Sequence, residues 1–580
     1  MNGINDRPNT PSTVFDYGIG SSLQLSPNSL VHLSSWTSPR SLLIEHGLMA
    51  SLYQRPTKLN ITMLIQFPFL DKFTKATGFV GSFGCSTKQQ RLCIISDPVK
   101  ANPSRKPTAK EEMRSDAAMH WVEIARNILV QSNGNTANPV ALLAVTRKIV
   151  DQIRDTAIKQ PSRGPTDMTW SPSMEALCYK FFNPTNLHKC LALFWSCWYP
   201  NWPTIHAPSF NMREKSPALI AVMALVGACL SPKEQDHASA QIWFDLVEEV
   251  VFSDDAFDDE DISNAWRDST TNHRQSAHLQ VLQAVYCVCL YQTWEGSKRS
   301  RRRALRQRFN NLVHLARDIG IDQASLKRID TSHPCGFNWE EYIIRESLIR
   351  ICSYISNIDA SYALFFRHLP RMAPSELVIE MSSPESCFQA SSSEECFAEL
   401  KAWRERMGVN ATNLTILGAV NALCNNKIIA MPTTRRAFAH LSVLNMFTFI
   451  HALYLQVYSI ETSATNGLDV ARTTPVANAL RNWQQSWPSQ TRDAELVDLL
   501  RKESDLSTMW QRIGFMRYAP EYWLIAYSSL KKIYTRNNKR SSQISIATID
   551  VGHGHMIDAR RLISELRSED IVSVMDSDTL

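Results

Sequence analysis

The residue types best suited to chemistry are concentrated in the stretch CLALFWSCWYPNWPTIHAPSF, residues 190–210. It contains three tryptophans, two cysteines, three prolines and one histidine, a set compatible with a catalytic pocket, a metal site or a structural core. Catalysis by His206 would need a base or nucleophile within hydrogen-bond reach, and the neighbouring sequence offers none. Metal binding needs closely spaced soft ligands, yet the chain has neither Cys-x-x-Cys nor His-x-x-x-His. We therefore assign no catalytic and no metal-ligating residue.

Hydrophobic spacing instead predicts a structural role for this stretch. One helical face is indicated by residues at i, i+4, i+7 and i+11, namely Leu187, Leu191, Phe194 and Trp198. Prolines at 200, 203 and 208 then end the helix and stiffen the following loop, because proline fixes φ and lacks an N–H donor. We expect the loop to pack back onto the helix, with the histidine in a structural hydrogen bond. The expected structural motif comprises Trp198, Pro203, His206, Pro208 and Phe210.

Other chemical motifs are weak in this sequence. It contains no phosphate-binding G-x-x-x-x-G-K-[ST] and no G-x-S-x-G nucleophile elbow. Cys287 and Cys289 lie in an apolar run with helical character, where they are expected to pack in a core. His553 and His555 could contact a metal, but no cysteine accompanies them. A small-molecule-binding protein or enzyme that uses the aromatic pocket near Trp195–Trp202 remains the alternative function.

A dense basic run, KRSRRRALRQR, occupies residues 298–308. It leads into the periodic segment FNNLVHLARDIGI, so we expect it to form exposed first turns of a helix. Such a run is also typical of a nuclear-import signal, and the two interpretations are compatible. The nuclear-import candidates are Lys298, Arg299, Arg301, Arg302, Arg303, Arg306 and Arg308.

Composition limits the classes of protein that are possible. The chain has 580 residues, is 44% hydrophobic, and balances 61 basic against 56 acidic side chains. Any contact with nucleic acid must therefore be local, because the whole chain is no polycation. Thirteen scattered cysteines favour reduced thiols. The longest apolar segment identified in the sequence, Ala218–Leu230, is shorter than the roughly 20 residues that a membrane-spanning helix needs, so it suits a buried helix. We therefore expect a soluble intracellular protein without membrane contact.

Helical periodicity recurs along the chain and strand patterns are almost absent, which predicts an all-α fold, an irregular multi-helix bundle with a disordered N-terminal segment. The predicted organisation is a disordered region at 1–58, then an aromatic docking block, linker and helices at 59–170. The main helical domain follows at 171–405, a helical C-terminal part at 406–540, and a tail at 541–580.

Three blocks, in this order, resemble the fungal-specific transcription factor domain, also called the middle homology region. They are FWSCWYPNWPTIHAPSF with SPALIAVMALVGACLS, then LVHLARDIGI at 312–321, then NWEEYIIRESLIRICSYISNIDASYALFF at 338–366. The resemblance covers about 175–405 and implies a nuclear transcription regulator, not an enzyme, controlling a metabolic or secondary-metabolite gene cluster. It implies partners among other transcription factors or coregulators, promoter DNA reached directly or through a partner, and a possible homodimer.

The block FLDKFTKATGFVGSFG at 69–84 is similar to one in family members that carry two-Cys-two-His zinc fingers, where it lies between fingers and middle domain. This sequence has no cysteine before Cys85, so it contains neither those fingers nor the family's six-cysteine zinc cluster. We therefore expect no cofactor, with zinc only if an upstream finger region is missing from this chain, and we expect direct DNA binding to be lost or indirect. A helical scaffold with no role at promoters remains a third interpretation.

Overall fold

The computed structural model describes residues 67, 69–75, 78–83, 86–95, 139–159, 170–268, 271–408, 414–463, 470–491, 513–538 and 556–568. Throughout these ranges the regular structure is helical, apart from one isolated β-bridge between Glu380 and Thr415. The all-α prediction is confirmed. The segment 1–58, expected to be disordered, lies outside the described residues, and the domain boundaries stay predictions.

The helices fall into three groups along the chain. Before the aromatic loop, residues 194–210, lie α1 (Leu70–Lys75), α2 (Phe79–Ser82), α3 (Lys88–Ile95), α4 (Pro139–Lys159), α5 (Pro172–Phe181) and α6 (Pro184–Leu193). After it come α7 (Pro217–Cys229), α8 (Glu234–Gln241), α9 (Phe244–Phe252), α10 (Ile262–Arg267), α11 (Asn272–Trp294), α12 (Lys298–Arg303) and α13 (Phe309–Ile319).

The third group begins with the long helix α14 (Trp339–Phe366), followed by α15 (Glu385–Phe388), α16 (Ser393–Met407), α17 (Ile416–Cys424), α18 (Asn426–Ile429) and α19 (Pro432–Phe438). It ends with α20 (Val443–Thr462), α21 (Val470–Thr491), α22 (Ala519–Asn538) and α23 (Ile557–Ser568).

Local sequence explains where α5 and α6 begin. Each starts with proline at its first position, where the missing N–H would have no intrahelical partner and the fixed φ already suits a helix. The residue before each proline caps the helix: Ser171 Oγ accepts from Met174 N–H at 3.3 Å, and Asn183 Oδ1 accepts from Asn186 N–H at 2.9 Å. These caps place α6 directly ahead of the aromatic loop.

The centre of the molecule is α7, whose residues from Ala218 to Cys229 are all buried. A helix that is apolar on every side must be surrounded, and α7 packs against α4, α6, α9 and α11. Gly227 permits the close approach of α6 to α7, because a Cβ there would lie 1.9 Å from the Cys190 carbonyl oxygen on α6. The glycine therefore sets the distance between α6 and α7.

The sequence analysis missed α20, the one helix among the described residues that is both long and apolar enough to span a membrane. By length and composition alone, α20 could cross a membrane, although 78% of its apolar window is buried within the protein. It packs against α14, α21 and α22. The prediction that Ala218–Leu230 is the longest apolar candidate is therefore wrong, because α20 carries Asn445, His451 and other polar residues that interrupt its hydrophobic pattern.

Candidate functional site: the aromatic loop and the basic helix

The aromatic loop, residues 194–210, continues directly from α6. Phe194–Trp198 form one turn of π-helix, and Tyr199–Asn201 form a 3₁₀ turn that ends the helical path. The predicted face is buried throughout, with Leu187 and Leu191 on α6 followed by Phe194 and Trp198, the last only 2% exposed. All four residues belong to the main hydrophobic core.

The indole and phenyl rings of the loop fill the interior of the site. Trp195 meets Phe210 with ring centroids 5.0 Å apart, and Trp202 stacks on Tyr286 at 5.5 Å. Trp198 contacts Phe79 of α2, at a centroid distance of 4.7 Å. These tryptophans are at most 2% exposed, so their rings occupy the space that a ligand would need in the alternative function.

His206 makes its hydrogen bonds within its own loop. Its Nδ1 lies 2.7 Å from Ser209 Oγ and accepts from the Ser209 N–H at 3.2 Å. The imidazole is buried, and burial lowers the pKa of His206 to about 3, so the ring is neutral at physiological pH. Its hydrogen bonds close the turn before Phe210.

Pro203 joins the loop to a buried charged centre that the sequence analysis did not identify. Arg350 of α14 donates to the Pro203 carbonyl at 3.2 Å and to carboxylates of Glu346 and Glu385, both at 2.7 Å. Its guanidinium lies 4.1 Å from the centroid of the Phe388 ring. The i, i+4 spacing of Glu346 and Arg350 could have indicated the pair, but not its burial. Burial raises the pKa of Glu346 to about 7.

The same loop is tied to the C-terminal part of the chain. Asn201 Oδ1 accepts from Phe515 N–H at 3.0 Å, and the Asn201 carbonyl accepts from Tyr354 Oη at 2.8 Å. Gly514 N–H donates to the Pro200 carbonyl at 3.0 Å, and a Cβ at this glycine would come within 2.5 Å of that oxygen. The aromatic loop therefore connects the middle and C-terminal helices.

The basic run forms α12 and then a π-turn at Ala304–Arg308, as its helical prediction required. Its exposure differs from the prediction. Arg303 donates to Asp245 at 2.7 Å, and Arg308 donates to Glu248 at 2.6 Å, the latter carboxylate being fully buried on α9. Arg301 donates to the Thr293 carbonyl at 2.7 Å. The expectation that the whole run stays exposed is wrong for these three arginines, because acidic and carbonyl oxygens of α9 and α11 draw them inward.

The remaining four cations of the run point to solvent: Lys298, Arg299, Arg302 and Arg306. Residues three or four positions apart lie on one helical face. Lys298 and Arg299 are four and three positions before Arg302, and Arg306 is four positions after it. We call these four side chains the outer basic face. Their role in import stays a prediction.

Sequence reasoning also expected the aromatic block after residue 59 to dock on the globular body. Its phenylalanines at 67, 69, 73, 79 and 83 are all buried in the main hydrophobic core. Within the described ranges, no group of three or more His, Cys, Asp or Glu side chains is arranged to hold a metal ion. His553 and His555 lie outside those ranges.

Comparison with known proteins agrees with this arrangement. Residues 191–485, which contain the aromatic loop, the basic helix and α14, match the fungal specific transcription factor domain. The chain is 33% identical over 475 residues to transcription factor verF of Penicillium polonicum, an alignment covering 79% of this chain and 63% of verF. No solved structure matches. The family match spans half of the chain, and the protein belongs to the fungal specific transcription factor domain family.

Proposed function

We propose that this protein is a nuclear transcription regulator whose helical body acts at promoters through other proteins. The observation that carries the proposal is the family match over residues 191–485, with the aromatic loop at its start. The relative verF, named as a transcription factor, supports the same function. A metabolic or secondary-metabolite gene cluster is the proposed target, and homodimer formation is part of the proposal.

Contact with DNA is proposed to be weak and independent of sequence. Specific readers bring side chains to base edges from an element shaped for a groove, and phosphate contacts alone give no sequence information. The outer basic face supplies four exposed cations, three on α12 and one, Arg306, on the π-turn that follows it. Promoter selection is then the task of a partner transcription factor or coregulator.

The outer basic face is also the proposed nuclear-import determinant. Lys298 and Arg302 are exposed and make no ion pair in the structure, so replacing them removes charge without disturbing packing. The double variant K298A/R302A should shift a fluorescent fusion toward the cytoplasm. Lys427→Ala is a matched control, since that lysine is exposed on α18. Unchanged nuclear accumulation of the double variant at equal protein level rejects this determinant.

Transcript sequencing tests the regulatory function itself. Deletion of the gene should change the transcripts of a contiguous set of metabolic genes, and expression of the intact chain should restore them. Restoration by the chain with W198A, at reduced protein level, should be partial. A deletion that leaves all transcripts unchanged under conditions where the protein is present would reject the proposed function.

A further inference from the structure

The short helices α18 and α19, with the turn that joins them, form an exposed strip of the surface. Over residues 425–436, every residue is exposed except Ile429 and Thr434. Two large apolar side chains lie in this strip, Ile428 at 38% and Met431 at 51% exposure. Within the described ranges, no other two exposed large apolar side chains are within four positions of each other. This local concentration distinguishes the strip from the isolated apolar side chains that most protein surfaces carry.

Cations lie beside both apolar side chains. Met431 N–H donates to the Ile428 carbonyl at 3.1 Å, and Arg435 N–H donates to the Met431 carbonyl at 2.9 Å, so these three residues follow one another turn by turn. Lys427 directly precedes Ile428. The side chains of Lys427 and Arg435 are exposed and make neither a hydrogen bond nor an ion pair within the described part of the chain. Their charges are therefore available to a binding partner.

Acidic side chains are scarce around these cations. From Arg406 to Ile460 the sequence contains neither aspartate nor glutamate. Helices α17 and α21, which pack against α18, carry none either. Glu405 of α16 is the acidic residue that the contacts of the strip reach: Arg436 donates to the Glu405 carbonyl at 3.1 Å and to the Arg406 carbonyl at 2.8 Å. The strip and its edge therefore carry an excess of positive charge.

Buried neighbours hold the exposed strip in place. Asn482 of α21 donates to the Leu423 carbonyl at 2.8 Å and to Asn426 Oδ1 at 2.9 Å. On α19, Ala437 and Phe438 are buried in the main hydrophobic core, at most 2% exposed. The backbone is thus ordered before any partner arrives, which lowers the entropic cost of binding. We name this surface the apolar–basic ridge; it consists of Arg406, Lys427, Ile428, Met431, Arg435 and Arg436.

The chemistry of the ridge favours one kind of partner. Methionine and arginine are enriched in protein–protein interfaces, and methionine adapts its shape to different apolar partners. A nucleic-acid backbone would pair with the cations but would leave Ile428 and Met431 without an apolar contact. A polypeptide segment in which acidic and large apolar side chains alternate matches both the charges and the apolar side chains.

We propose that the apolar–basic ridge binds a short acidic segment of a partner protein, in which aspartate or glutamate alternates with leucine or phenylalanine. Ile428 and Met431 contact the apolar side chains, while Lys427 and Arg435 pair with the carboxylates. The ridge lies on other helices than the outer basic face, and its binding is measured on the purified protein. Failure of this proposal therefore leaves the proposed role in transcription standing.

A labelled peptide tests the proposal on the full 580-residue chain. The probe is a fluorescein-labelled synthetic peptide in which aspartates alternate with leucine and phenylalanine, and fluorescence anisotropy at low ionic strength reports its binding. The variant K427E/R435E should bind it more than about tenfold more weakly, because like charges then face each other. M431S should weaken binding about three- to tenfold through the lost apolar contact. The matched control R213E/K233E reverses two exposed cations elsewhere and should stay within about twofold of the unmodified chain.

Changes in the peptide separate charge from apolar contact. A peptide with asparagine in place of every aspartate, and one with serine in place of every leucine and phenylalanine, should both lose binding. Three results overturn the proposal when circular dichroism shows native fold: no binding of the acidic peptide to the unmodified chain, equal losses in K427E/R435E and R213E/K233E, or no effect of M431S. Tighter binding of random duplex DNA that is lost in K427E/R435E also overturns it, because the ridge would then be a nucleic-acid contact.

Discussion

Replacing Trp198 by alanine removes a large buried side chain from the junction of three segments. The indole is 2% exposed, and its ring lies 4.7 Å from Phe79 and 5.1 Å from Phe83, centroid to centroid. It also ends the π-turn that carries α6 into the aromatic loop. Replacing a tryptophan buried in this way by alanine lowers the free energy of unfolding by on the order of 3 to 5 kcal/mol, because a cavity remains.

Urea unfolding followed by far-UV circular dichroism measures this loss. With an unfolding slope of roughly 3 kcal/mol per molar urea, the midpoint should fall by about 1 M or more. Leu369→Ala is the control, because Leu369 is 70% exposed and its truncation should change the unfolding free energy by less than about 0.5 kcal/mol. Limited proteolysis should also cut W198A faster near residues 79–83.

An unchanged midpoint for W198A would refute the reasoning. It would mean that the indole is not packed as described, and the prediction of a structural core in the aromatic loop would fail with it. Trp198→Phe keeps an aromatic ring against Phe79. Its free energy of unfolding should therefore fall less than that of Trp198→Ala.

The remaining predictions concern charge, close packing and pH. Arg303→Ala should cost about 1.5 to 3 kcal/mol of unfolding free energy, because the fully buried Glu248 loses one charged hydrogen-bond partner but keeps Arg308, whereas Arg302→Ala should cost less than about 0.5 kcal/mol. Gly227→Ala should abolish soluble folded protein in expression tests, since its Cβ would lie 1.9 Å from a carbonyl oxygen. Burial raises the pKa of Glu521 from 4.5 to about 8, so the stability that this group contributes is complete below pH 4.5 and is lost as the pH rises toward 8; Glu521→Gln should flatten that part of a pH-dependent melting curve. The four cations of the outer basic face can neutralise at most four phosphates, so a plot of log binding constant for duplex DNA against log salt concentration should have a slope no steeper than about −3.6. A steeper slope in a filter-binding assay would indicate a further basic surface.

The sequence predicted those features of the fold that depend on interactions between residues close together in the chain. The i, i+4, i+7 spacing from Leu187 to Trp198 indicated one buried helical face because helical periodicity alone fixes which side chains share it. Prolines indicated where the helix ends for a similarly local reason. The hydrogen bond of His206 is also local, since its partner Ser209 lies only three residues away.

Contacts between distant segments decided what the sequence could not predict. The sequence predicted that Arg303 and Arg308 are exposed. In the fold they bind Glu248 of α9, which lies more than 50 residues away in the sequence. Glu521 reaches Phe69 across 452 positions of sequence, so no motif could indicate that it caps α1. The charged centre at Arg350 was missed because burial of an i, i+4 pair depends on what packs over α14.

Chromatin immunoprecipitation with sequencing of the tagged intact chain tests the central claim most directly. The account predicts discrete peaks at promoters of coregulated genes, and loss of those peaks when the partner that selects them is removed. The purified chain alone should meanwhile bind those promoter fragments no better than scrambled DNA, at about 10⁻⁴ to 10⁻⁶ M. A nuclear protein with no promoter enrichment, or nanomolar sequence-specific binding by the purified chain, would contradict the account.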